Sequence, residues 1–145
     1  MNKVILVMCI FVGMMIMAAC QSGRSEKMVL LDEKISKVEI SESDGLGGMN
    51  EEFLWSYQDK DALSVFEEAI TSARKQPGKV DLTKPDFDLM VQYESDDEHL
   101  ATRGLHLWLG DEGDISTFVY IGDDTVYHTP PEVTKKLRGM ILSEG

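Results

Sequence analysis

The chain has 145 residues, 14 of them basic and 26 acidic, for a formal net charge of −12. A surface so acidic repels phosphate backbones, which excludes nucleic-acid binding driven by charge, and the length suits one domain with a single core. The two cysteines, Cys9 and Cys20, both lie near the start and cannot staple the body of the chain.

Asn2 and Lys3 open the sequence, and Val4 to Ala19 is an uncharged apolar run. It is short for a membrane span, which needs about 20 apolar residues, and suits the core of a signal peptide. Ala18 and Ala19 are small enough for a peptidase to approach the backbone. Met17-Ala18-Ala19-Cys20 resembles the lipobox of bacterial lipoproteins, in which Leu is commoner at the place of Met17. The expectation is a signal peptide over residues 1–19, cleaved between Ala19 and Cys20, with the Cys20 thiolate accepting a diacylglycerol. Two such chains anchor stably where one does not. An uncleaved N-terminal membrane helix and an ordinary signal cut elsewhere are the competing readings. Loss of Lys3 from the 14 basic residues leaves 13 against 26 acidic ones, a net charge of −13. The chain is thus expected on the extracytoplasmic face of the cell membrane, with residues 20–33 as lipidated N-terminus and tether and residues 34–145 as the folded body.

Within that body, Lys34 to Ile40 alternates as a strand does, with an ambiguous phase near Ser36. "SESDGLGGMNEE" is a loop, its glycines permitting positive φ, and "FLWSY" reads as a half-buried strand carrying Phe53, Trp55 and Tyr57 on one side. Asp59 is a plausible N-cap for a helix whose stripe is Ala62, Leu63, Phe66, Ala69, Ile70 and Ala73. Arg74 and Lys75 suit the negative end of that helix, and Pro77-Gly78 stops it.

Three strands follow: "FDLMVQY", "GLHLWLG" and "ISTFVYIG", joined by turns at residues 95–99 and 111–114, with "TVYHT" as a further short strand. Thr129, Pro130 and Glu132 read as a capping box opening a second helix, whose stripe is Val133, Leu137, Met140 and Ile141. The sum is an α+β domain: a mainly antiparallel sheet of five to six strands with two amphipathic helices packed on one face.

The order "NEEFLWSYQDKDALSVFEEAITSARKQPGKVDLTKPDFDLMVQY", then "LHLWLG" and "YIGDDTVYHT", resembles the small Bacillus-type lipoproteins with a YhfM-like domain. The likeness runs from about Lys34 to Leu142 and is carried most by "ARKQPGKVD" and "PDFDLMV". It implies a lipid-anchored extracytoplasmic domain and brings no catalytic or ligand residue with it.

No motif assigns a reaction. His99, His106 and His128 share no helix face, so no H-E-x-x-H arrangement exists. Placing Gly45 at the glycine of an EF-hand loop puts Glu42, Asp44 and Glu51 at oxygen-donor positions but leaves Ile40 at the first, where it cannot coordinate. There is no G-x-S-x-G elbow, no phosphate loop and no thiol in the body of the chain. No catalytic residue, metal or cofactor is expected.

If Leu105, Leu107 and Leu109 face the helices, His106 and Trp108 point the other way, where Phe118 and Tyr120 would join them in an aromatic patch for an envelope protein, peptide or glycan. The alternative is that the N-terminal strand or a loop covers this face, or that Trp108 belongs to the core. A non-enzymatic binding module is the leading reading. A small extracytoplasmic enzyme or metal-dependent module built on His106, His128 and nearby carboxylates is the second, and an accessory subunit of a complex the third.

Overall fold

The structure, a computed structural model, describes residues 26–29, 34–94 and 101–145. The expected signal peptide, Ala19, Cys20 and His99 lie outside the described residues. The elements are β1 (Ile35–Glu42), β2 (Trp55–Tyr57), α1 (Lys60–Thr71), β3 (Arg74–Lys75), β4 (Phe87–Tyr93), β5 (Thr102–Trp108), β6 (Ser116–Tyr120), β7 (Val126–Thr129) and α2 (Pro131–Ser143). They build an antiparallel seven-stranded sheet in the order β2-β1-β4-β5-β6-β7-β3.

The α+β class holds, and both helices lie over one face. Phe66, Ala69 and Ile70 from α1 and Val133, Leu137 and Ile141 from α2 share a core with Val38, Ile40, Leu89, Val91, Leu105, Leu107 and Phe118. The ambiguous phase near Ser36 corresponds to a register shift between Ile35 and Lys37, which lets Ile35 and Val38 both turn inward.

The strand count exceeds the expected five to six because Arg74 and Lys75, assigned from the sequence to the end of a helix, form an edge strand instead. Helix α1 stops earlier, at a Ser72 cap whose N–H reaches the Glu68 carbonyl, and buried Ala73 leads directly into β3. There Arg74 pairs with His128 and Lys75 with Tyr127. Two basic residues suit this edge, since charge discourages further strand addition.

The expected capping box of the second helix does not form: the N-cap is Pro130, with no side-chain bond. The Thr129 hydroxyl donates instead to the Ala69 carbonyl of α1 at 2.7 Å, where both are buried. The bond ties β7 to α1 at a carbonyl that also accepts the Ser72 hydroxyl at 3.3 Å.

The packed chain also begins before residue 34. Lys27 bridges Arg74, the Lys75 N–H donates to the Glu26 carbonyl at 2.7 Å, and Met28 is only 2% exposed. Residues 26–28, grouped with the tether on sequence grounds, are therefore bound to the β3 edge.

Candidate functional site

Strand register decides the fate of the aromatic patch. Directly opposed residues on antiparallel strands share a face. Leu107 stands opposite Phe118 and Leu105 opposite Tyr120, whereas His106 stands opposite Val119 and Trp108 opposite Thr117. Phe118 and Tyr120 therefore lie on the helix side, Phe118 fully buried and Tyr120 half-buried, while His106 and Trp108 lie on the other. The four-residue patch is not assembled, because the two strands meet one position out of the register it requires.

The face away from the helices is covered over its centre. The loop between β1 and β2 folds across it, with the Asn50 N–H donating to Asp88 Oδ2 at 2.9 Å and Ser41 Oγ donating to the Asn50 carbonyl. Gly104 permits this closure: a Cβ there would meet Ile121 Cδ1 at 3.1 Å and Met49 Cε at 3.4 Å. Beneath the loop, His106 Nδ1 lies 2.7 Å from Asp88 Oδ1, with Asp88 fully buried and His106 2% exposed.

Asp88 and His106 are cross-strand partners on β4 and β5, so the sheet itself sets their separation. With Nδ1 protonated, the ring donates to the Asp88 carboxylate and Nε2 is the basic nitrogen. Trp108 is half-buried beside this pair, its ring 6.2 Å from that of His106 and its Nε1 donating to the Thr83 carbonyl at 3.0 Å. A loop does cover this face, as the plainer of the two sequence readings has it.

His128 is half-buried on β7, opposite Thr117, and burial holds its imidazole pKa below the ordinary value. Two strand spacings, about 10 Å, separate β5 from β7, and the Nδ1 of His106 is engaged by Asp88. Among the described residues, no group of three or more His, Cys, Asp or Glu side chains is placed to hold a metal, and no helix is long and apolar enough to cross a membrane.

The open surface lies elsewhere, at the end of the sheet where the β5–β6 turn meets α2. A cleft of about 460 Å³ there has Phe87, Leu109 and Leu142 as its apolar walls and Asp86, Asp111 and Asp114 on its rim. Arg138 projects from α2 between this cleft and a neighbouring one of about 290 Å³, which also takes in Leu142.

The cleft is held rigidly. Arg138 Nη1 donates to the Gly110 carbonyl, Asp86 Oδ2 accepts the Leu109 N–H at 2.8 Å, and the Ser116 hydroxyl donates to the Leu109 carbonyl at 2.8 Å. Gly110 has φ +71°, and a Cβ on it would fall 2.3 Å from the Ile115 carbonyl oxygen, so the turn admits only glycine. Leu142 is 51% exposed. Leu142 and Arg138 lie off the expected apolar stripe of α2, and Asp111 and Asp114 have the look of turn formers, so no local signal groups these residues. Only the tertiary approach of helix and turn brings them together.

A solved thioesterase-like protein from Clostridium sporogenes has a similar fold, with a TM-score of 0.61 at 16% identity over 79% of this chain and 98% of that one. No curated protein matches the sequence. The family model described as YhfM protein matches residues 25–144, from just before the first residues docked on β3 to the end of α2, and the chain belongs to the YhfM family.

Proposed function

We propose that the protein is a lipid-anchored extracytoplasmic binding module, held to the membrane through Cys20 and presenting the cleft around Arg138 and Leu142 to another component of the envelope. One observation carries this reading. The cleft lies at the end of β5, whereas the chain enters the domain along β3, at the edge of the sheet. Lys75 is level with Leu107 through Tyr127 and Phe118, and three strand spacings, about 14 Å, separate β3 from β5, so the two surfaces are distinct. An anchor at one leaves the other open.

The apolar walls and acidic rim suit a partner segment that offers an apolar side chain next to a basic one. A photo-crosslinking residue at Leu142 of the full chain, expressed in cells, is expected to give a discrete adduct that weakens on Asp111→Asn and Asp114→Asn. Adducts no different from those at exposed Glu67 on α1 overturn the cleft as the binding surface. For the anchor, Cys20→Ala is expected to release the exported domain from the membrane fraction, and retention as firm as wild type overturns it.

The Asp88–His106 pair favours a second reading, a small hydrolase. A carboxylate on Nδ1 leaves Nε2 as the basic nitrogen, the arrangement a general base requires, and the fold is shared with a thioesterase-like protein. Substrate access then requires the β1–β2 loop to lift. Hydrolysis of an acyl thioester by the purified protein, abolished by Asp88→Asn, supports this reading; its absence leaves the pair a structural brace.

A further inference from the structure

We infer that the anchored domain lies with the sheet edge around β3 against the bilayer, where Lys27, Lys75, Lys79 and Arg103 meet anionic lipid headgroups. The inference rests on the lipid-anchor reading above and adds an orientation and a contact surface to it. Its first support is reach. From Cys20 to Glu26 a fully extended chain covers about 20 Å, well under the width of a domain of this size, about 35 Å. Glu26 and Lys27 are bonded to Lys75 and Arg74. The β3 edge is therefore kept near the membrane whatever path the intervening residues take.

The second support is the distribution of charge. The chain as a whole opposes an anionic surface, yet Lys27, Arg74, Lys75 and Lys79 gather at the β3 edge, with Arg103 on the Tyr120 ring beyond Tyr127. The acidic groups there include Glu26, paired with Lys75 at 3.3 Å, Asp81 beside Val80, Glu94, and Asp123 and Asp124 of the β6–β7 turn. Around the cleft Asp86, Asp111, Glu112 and Asp114 stand with Arg138 and Lys135. An anionic membrane thus opposes the first surface less than the second.

The third support is the side chains between these charges. Val29 is 71% and Val80 37% exposed. Half-buried Tyr120 and Tyr127 meet edge to face at 6.0 Å, Arg103 stacks 4.9 Å above the Tyr120 ring, and the Tyr120 hydroxyl donates to the Val29 carbonyl. Tyrosine and arginine, apolar along the body and polar at the tip, suit the headgroup layer.

The test uses the full lipidated chain carrying a fluorophore at Val80→Cys or at Leu142→Cys, in vesicles with a quencher on the headgroup. Vesicles containing phosphatidylglycerol are compared with phosphatidylcholine alone. In the anionic vesicles the label at position 80 is expected to be quenched several-fold more than the label at 142. Lys75→Gln with Lys79→Gln, or removal of the anionic lipid, is expected to abolish the difference. Floating chains with equal quenching at both positions, or with a difference indifferent to the two lysines, overturn the orientation while leaving the anchor intact. Chains that lack acyl groups in the mass spectrum and fail to float with the vesicles overturn the anchor, and the inference with it.

Discussion

Asp88 and His106 face one another across β4 and β5 with Oδ1 2.7 Å from Nδ1, and the second carboxylate oxygen is taken by the Asn50 N–H. The pair therefore ties two central strands to the loop that covers them. Truncating one member leaves a buried polar group without its partner, at a cost of about 1–3 kcal/mol and more where that group is charged. Asp88→Ala and His106→Ala are each expected to lower stability in urea titration by several kcal/mol. The double variant should lose much less than the sum of the two. Additive losses refute the coupling.

Tyr57 presents the opposite situation. Its hydroxyl is enclosed and, among the described residues, is the one buried side-chain polar atom without a hydrogen bond. Tyr57→Phe removes that unmet group while keeping the ring that packs on Phe66 at 5.3 Å. The variant is expected to equal or exceed wild type in stability, by up to about 1 kcal/mol. A clear loss in thermal unfolding contradicts this.

Burial, reinforced by Glu144 and then Asp59, pushes the Tyr57 phenol from 10.0 up to about 12. A pKa raised on folding means that the native state holds its proton more tightly than the unfolded chain. The resulting stability is complete below pH 10 and disappears as pH rises from there through about 12. Denaturation midpoints measured against alkaline pH should fall more steeply for wild type than for Tyr57→Phe.

His128 acts on the acid side. Burial lowers its pKa from 6.5, so the unfolded chain takes up the proton first and stability declines as pH falls below 6.5, levelling once the folded imidazole is also charged. His128→Gln is expected to flatten this part of the profile. An unchanged acid limb assigns the decline to carboxylates instead.

The β5–β6 turn separates two kinds of glycine. At Gly110 a Cβ meets the Ile115 carbonyl oxygen at 2.3 Å, whereas at Gly113, φ +87°, nothing lies within 4 Å. Gly113→Ala is expected to cost about 1 kcal/mol, for the backbone conformation alone, and Gly110→Ala markedly more. Equal shifts in Tm rule out the contact.

What the sequence conveyed was local. Alternation placed β4 within its observed bounds, and Asp59 caps α1 as expected, its Oδ1 accepting the Ala62 N–H at 2.9 Å. What it withheld depends on partners distant along the chain. Arg74 and Lys75 become a strand only because β7 and Lys27 flank them, and Thr129 leaves its cap for a carbonyl of the other helix. The aromatic patch failed for the same reason, since alternation fixes which residues of a strand share a side but not which side of its neighbour they join. The cleft around Arg138 needs a helix and a turn at once, and no single stretch announces it.

The segment through which the chain enters the domain is also part of its sheet edge: Lys27 is bridged to Arg74, and Met28 is wedged into the core with its N–H on the Ala73 carbonyl. Any pull transmitted along the preceding chain falls first on these few bonds. Under load the molecule would yield there, shedding its edge and uncovering the pocket left by the methionine, while the central strands stayed paired. On the proposed anchor, these bonds would act as a mechanical fuse whose strength depends on how well Met28 fits its socket.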